Sequence, residues 1–485
     1  MPKRGNWPEV VFPASSLVSA IGSTLHYNNE IIPMQAVPTT IVAFIFVLGV
    51  LVFVHEFGHY AVAKLFRVRV EVFSLGFGKR LVGFHRGDTD YRISLLPLGG
   101  YVKMAGENPM ETRTGDPGEF MSHPRWQRFL IAIAGPAMNI ILAVVVLTGV
   151  YMFRHEYPAY FDKPADLGWV IDNSTAQQAG LKTGDRITMI QGKSNPTWDD
   201  VRYQILANMN QKMDMDVLRG GETIHTNMIA HVSEKEEGDL LGDLGMVPAG
   251  PAIVGKIEPG TPAEKAGMQV GDEIRTVNDI PVQSGNGFGL INVLKKTKDQ
   301  PVKVTVLRKG QLKDLTVTPQ MLPGGAGSPP SYRFGIEIPM EFHTEKLPFR
   351  AALQTATKEC KRNSTLIFKL LGQLVSGNGS IKQLGGPVMI MEESGRAAEL
   401  GFNILLEYMT LISLNLAIFN LLPIPILDGG LMLMLLIESV MRRDIKQEVK
   451  ERVYQVAFVC LVLFAAVVIY NDVAKTLPSW AHFKQ

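Results

Sequence analysis

Four stretches of the chain are apolar over a length that crosses a bilayer, and the segments between them are not. The first runs from Thr39 to Ala63, broken only by His55, Glu56 and His59, and the second, Phe129 to Phe153, carries no charged side chain. The third, Phe402 to Leu427, contains Glu407, Asn415 and Asn420; the fourth is Val453 to Tyr470. A spanning helix needs about 20 apolar residues, so four transmembrane helices are expected, over 39–63, 127–153, 401–428 and 453–471. Lys and Arg cluster within 64–126 and again between the third and fourth stretches, at Arg442, Arg443, Lys446, Lys450 and Arg452. The positive-inside rule places both segments in the cytoplasm and both termini, with everything from 154 to 400, outside it. Residues 1–38 read as a flexible extension, because the weakly apolar Val10 to Ile21 is interrupted by Pro13 and makes a poor signal peptide.

The outside segment repeats itself. Ala176, Ala179, Gly180, Gly184, Asp185 and Ile187 recur as Ala263, Ala266, Gly267, Gly271, Asp272 and Ile274, every pair 87 positions apart. Two copies cannot make a solenoid and read as two sister domains. Each unit is a short helix ending at Gly, then a turn, then a strand. At these residues the chain resembles periplasmic PDZ domains, over 165–250 and 251–340. PDZ domains bind extended peptides by strand addition; a spacer or size filter with an empty groove fits the same residues equally well. Within 341–400, Ala351 to Leu374 alternates basic and apolar positions as an amphipathic helix expected to lie on the membrane lipid.

Composition narrows the chemistry. Lys+Arg 48 against Asp+Glu 46 leaves a formal charge of +2, with no general attraction for nucleic acid. The two cysteines, Cys360 and Cys460, exclude a disulfide scaffold and a thiolate-rich zinc site. A bound metal therefore rests on His and carboxylates.

His55-Glu56-Phe57-Gly58-His59 supplies such a set. On a helix, His at i and i+4 share a face and hold one metal ion, while the adjacent Glu reaches a water on it. Ionisable groups are costly in a spanning helix and read as functional there. His55 lies nine residues before Lys64, about 13 Å along the helix, so the site is inside the bilayer near the cytoplasm. Catalytic zinc usually takes a third protein ligand. Glu71 is near in sequence, but Asp428 is the better candidate: it closes Asn420-Leu421-Leu422-Pro423-Ile424-Pro425-Ile426-Leu427-Asp428-Gly429-Gly430 at the cytoplasmic end of the third span. Pro423 and Pro425 interrupt helix there and free backbone groups that only a polar cavity tolerates.

The two motifs together resemble the site-2 protease family of intramembrane zinc metalloproteases, from about Thr39 to the end. Leu95-Leu96-Pro97-Leu98-Gly99-Gly100-Tyr101-Val102-Lys103 is similar to that family's membrane-reentrant β-hairpin, within 64–126, and Leu384-Gly385-Gly386-Pro387 to a segment on its outer side. The resemblance implies a polytopic α-helical membrane protein with four transmembrane helices, a membrane-reentrant β-hairpin and two periplasmic α+β PDZ domains, in the bacterial inner membrane. It implies that His55, His59 and Asp428 hold Zn²⁺ with Glu56 as general base. Asn420, Pro423, Pro425, Ile93 and Leu95 would engage an unwound transmembrane substrate, such as a clipped anti-sigma factor. Two other readings compete: a non-catalytic membrane scaffold that binds C-termini, and a soluble-type zincin tethered to the membrane with Glu71 as third ligand.

Overall fold

The computed structural model describes residues 37–107, 115–231, 240–282, 284, 287–322, 330–376 and 386–476. Of the expected extension over 1–38, residues 1–36 lie outside the described residues, as do Leu384 and Gly385, whereas Val37 and Pro38 already belong to the first helix. The described chain forms two compact units, one from 37–155 with 346–476, the other from 156–345.

In the first unit, backbone groups in an apolar environment pair within their own segment, and the apolar stretches accordingly form helices. These are α1 (Val37–Leu65), α2 (Arg125–Phe153), α3 (Phe349–Val375), α4 (Pro387–Leu400), α5 (Phe402–Asn420), α6 (Asp428–Met441) and α7 (Gln447–Thr476). Four of them, over Pro38–Leu65, Arg125–Phe153, Phe402–Asn420 and Gln447–Asp472, are long and apolar enough to cross a membrane. Helix α2 is central and packs against α1, α3, α5 and α6. Its approach to α1 is close because Gly58 faces the Ala134 carbonyl and the Met138 side chain, leaving no room for a methyl.

The third span ends earlier than its hydrophobicity suggests. Helix α5 stops at Asn420, the segment holding Pro423 and Pro425 is not helical, and Asp428 opens the separate helix α6. The amphipathic helix is α3, and its apolar face is used within the protein. Ala352, Ala356 and Cys360 are buried with Ala143, Leu147 and Tyr151 of α2 and with Leu414 and Ile418 of α5. These positions pack on helices of the same unit, while Phe349, Leu353 and Phe368 of the same helix are exposed. Cys360 is buried, Cys460 is exposed, and both are free thiols.

Between α1 and α2, β1 (Val70–Arg86) and β2 (Thr89–Met104) form a hairpin whose register folds back on itself. Phe73 is in register with both Val102 and Tyr91, and Tyr91 also with Phe84. The two long strands thus behave as four segments, in the order 100–104, 70–75, 90–93 and 82–86. Gly76 and Gly78, at φ of 87° and 88°, make the reversal within β1. Phe77, Leu81, Val82, Phe84, Ile93, Leu95 and Leu96 leave large apolar surface exposed on this hairpin.

The second unit contains two similar antiparallel arrangements. One sheet orders the strands Lys193–Ser194, Arg186–Ile190, Lys212–Arg219 and Glu222–Ile229. The other orders Ala252–Ile253, Glu273–Val277, Val302–Arg308 and Gln311–Val317, with Ile280–Pro281 beside Glu273–Val277. Each has a ten-residue helix, Trp198–Ala207 or Phe288–Thr297. The sequence repeat has a structural counterpart in two equivalent ion pairs. Arg219 donates to Asp185 at 2.7 Å and to the Gly180 carbonyl at 2.7 Å; Arg308 donates to Asp272 at 2.7 Å and to the Gly267 carbonyl at 2.8 Å.

Candidate metal centre and active site

Helix geometry puts His55 and His59 on one face of α1, one turn apart. Their Nε2 atoms stand 3.3 Å from each other. Asp428 reaches the same point from the first position of α6, with Oδ2 3.3 Å from His55 Nε2 and Oδ1 3.5 Å from His59 Nε2. Both histidines are buried and Asp428 is partly so.

The donor set fits zinc. Two ligand atoms each about 2.1 Å from a tetrahedral ion stand about 3.4 Å apart, close to the three spacings observed. Buried Asp428 Oδ2 also has no hydrogen-bond donor, an expensive state for a carboxylate oxygen unless a cation faces it. Glu71 plays no part: it pairs with Lys103 at 2.9 Å across the hairpin.

The back of the site is built by α2. His59 Nδ1 donates to the Ile131 carbonyl at 2.8 Å, which keeps the proton on Nδ1 and leaves the Nε2 lone pair for the metal. Asn139, fully buried, sets its amide 3.2 Å from His55 Nδ1. Gly135 lies against both imidazole rings, where a methyl would overlap His59 and crowd His55. Sequence reasoning did not single out Ile131, Gly135 or Asn139. The available signals were a Gly-Pro pair and an Asn inside an otherwise apolar span.

Glu56, beside the first histidine, receives a backbone hydrogen bond from Val102 of β2. Gly100 of the same strand passes between Val52 and the Glu56 side chain with no space for a Cβ. The hairpin thus approaches the carboxylate that the motif puts next to the metal.

The other residues expected at the site divide. Asn420, the last residue of α5, sets its amide 3.3 Å from His55 Nε2. Pro423 and Pro425 belong to the non-helical link that delivers Asp428. Ile93 and Leu95 are exposed on β2; Ile93 is in register with both Leu75 and Val82, whereas Leu95 has no register partner.

The model of peptidase family M50 matches residues 43–464. The chain is 33% identical to the regulator of sigma-E protease RseP of Salmonella typhimurium over 465 residues, covering 91% of this chain and 100% of that protein. It is 33% identical to the regulator of sigma-E protease RseP of Escherichia coli over 457 residues, covering 89% and 98% respectively. A predicted zinc metalloprotease of Vibrio cholerae is 32% identical over 466 residues, with 90% and 98% covered. A family model over most of the chain and full-length relatives at this identity leave one assignment: the chain belongs to peptidase family M50, the site-2 protease family of membrane zinc metalloproteases.

Proposed function

We propose that the chain cleaves the transmembrane segments of single-pass membrane proteins, with His55, His59 and Asp428 holding zinc and Glu56 as general base. The observation that carries this reading is the meeting of two imidazole nitrogens and a carboxylate within 3.5 Å at helices of an apolar bundle, with Glu56 adjacent. Zinc, when bound, supplies Lewis-acid polarisation and lets water attack near neutral pH. Glu56 takes the proton of the attacking water and passes it to the leaving amine. The Asn420 amide, beside the ligands, orients the scissile peptide.

A transmembrane helix hides its peptide bonds in its own hydrogen bonds, so it unwinds before cleavage. The β1–β2 hairpin, with its exposed apolar side chains, is read as reentering the membrane and receiving the unwound strand. Because Ile93 is engaged on both sides within the sheet, the main chain around Leu95 is the better docking point, with the Ile93 side chain as an apolar contact. The non-helical stretch with Pro423 and Pro425 supplies further unpaired backbone groups for an extended substrate.

The two repeats of the second unit are read as periplasmic PDZ domains, over 165–250 and 251–340, and the metal centre as lying toward the cytoplasmic side of the inner membrane. The relatives' name, regulator of sigma-E protease, supports a clipped anti-sigma factor as substrate in an envelope stress response, with the PDZ pair excluding proteins that keep a bulky outer domain.

The test uses the full chain in lipid vesicles with two model substrates, one with a short outer segment and one with a folded outer domain. Wild type is expected to cleave the first, Glu56→Gln to keep zinc and cleave neither, and deletion of 165–340 to admit the second. Cleavage by Glu56→Gln would overturn the assignment of the base; loss of all cleavage on the deletion would replace exclusion by recruitment.

A further inference from the structure

We infer that Asn139 is a positioning residue for the metal centre: its side-chain carbonyl accepts the Nδ1 proton of His55 and thereby turns the Nε2 lone pair toward the metal. The inference rests on the reading of His55, His59 and Asp428 as the ligand set.

Asn139 is completely buried in α2, its Nδ2 is 3.2 Å from His55 Nδ1, and its Oδ1 has no hydrogen-bond partner. The opposite edge of the same ring, Nε2, faces Asp428 and His59. A neutral imidazole has one protonated nitrogen and one lone pair. A metal at Nε2 therefore fixes the proton on Nδ1, and a proton there facing the Asn139 NH₂ group would set two donors against each other. A half-turn of the amide exchanges Oδ1 and Nδ2 within the same envelope. It converts that clash into a hydrogen bond and gives the unpartnered oxygen a donor. Such an acceptor behind a ligating imidazole fixes the ring and raises its basicity.

His59 shows the same arrangement already made, with Nδ1 on the Ile131 carbonyl at 2.8 Å. Ile131 and Asn139 are two turns apart on α2, and each backs one of two histidines that are one turn apart on α1. The one helix thus orients both imidazoles, by its backbone in one case and by a side chain in the other. The Asn139 main chain has a separate task, since its carbonyl accepts from Ser413 Oγ of α5 at 2.8 Å. Substituting the side chain leaves that bond in place.

The test compares Asn139→Leu, similar in volume but without an acceptor, and Asn139→Asp, which only accepts, in the purified full chain. Zinc affinity is measured by chelator competition, the cobalt-loaded protein by its visible spectrum, and the metal-free protein by thermal unfolding. Asn139→Leu is expected to weaken zinc by about 10- to 100-fold and to alter the cobalt spectrum while unfolding like the metal-free wild type. Asn139→Asp is expected to bind zinc within a few-fold of wild type with the wild-type cobalt spectrum. Wild-type affinity in Asn139→Leu would overturn the inference, and so would an equal loss in Asn139→Asp, which also decides the matter if the leucine variant does not fold. Zinc retention by Asp428→Ala would instead bring down the ligand assignment on which the inference depends.

Discussion

Gly135 of α2 lies against both candidate metal-site imidazoles, and the rings occupy the space that a side chain there would need. Gly135→Ala puts a methyl onto Nε2 and Cε1 of His59 and against Cε1 of His55. Overpacking of this kind costs about 1–3 kcal/mol, and here the rings themselves are what would shift. The expected outcome is purified protein with substoichiometric zinc and cleavage reduced by about 10- to 100-fold. Gly149 lies on the same helix with open space around it, so Gly149→Ala should leave zinc content and turnover unchanged; if both substitutions behave alike, ring placement is not what Gly135 secures. At this scale the sequence shows the candidate ligands and hides what holds them. His55, Glu56 and His59 are legible because helical spacing alone puts both nitrogens on one face. Gly135, Ile131 and Asn139 were not, because their contacts join positions 72 to 84 residues apart.

Among the elements, hydrophobicity located the third span but ran it through to 428, whereas the helix ends at Asn420. The prolines marked the break; the window average across an apolar link could not. Helix α6 escaped notice for the same reason, since a 14-residue apolar helix is too short to read as a span. In the second unit the 87-residue offset was visible in the sequence, but its physical content was not. Asp185 and Asp272 are repeated because each anchors an arginine that also holds the carbonyl of the glycine ending the preceding short helix. Burial alone would raise the Asp272 carboxyl. The Arg308 bidentate contact and the Gln269 N–H outweigh that and hold it below its usual range. A depressed folded-state value means that the pair's stabilisation is complete above the ordinary carboxylate range and is lost as pH falls through the lower folded value. Arg308→Leu should therefore lower the unfolding midpoint of the second unit by several degrees at pH 7 and by less at an acid pH below the ordinary carboxylate range. Equal losses at both values would show that Arg308 contributes by packing rather than charge.

Across the whole molecule, a composition with 46% hydrophobic residues and a charge of +2 looks ordinary, yet it averages an apolar helical bundle with a strand-rich pair of repeats. The spans differ in how far protein surrounds them: half of the most apolar 18-residue stretch of α5 is buried, but only 6% of the corresponding stretch of α7. With so little lateral packing, α7 depends on its ends. Near its start Lys450 meets the buried Glu438 of α6 at 2.5 Å. Near its other end Asp472 accepts from the main-chain N–H groups of Val388 and Met389, at 3.0 and 3.1 Å, capping the first turn of α4. Those N–H groups have no partner within their own helix, and Gly386 leaves the carboxylate room to reach them. An acidic cap of this type contributes about 1–2 kcal/mol, and here it also joins two helices far apart in sequence. Asp472→Ala should thus raise amide hydrogen exchange at 387–389 about 5- to 30-fold and loosen a cysteine crosslink engineered between α4 and α7. The start of α7, held separately by Lys450, should exchange as in wild type. Unchanged protection at 387–389 would mean that packing of α4 on α1, through Gly395 and Thr40, suffices without the cap.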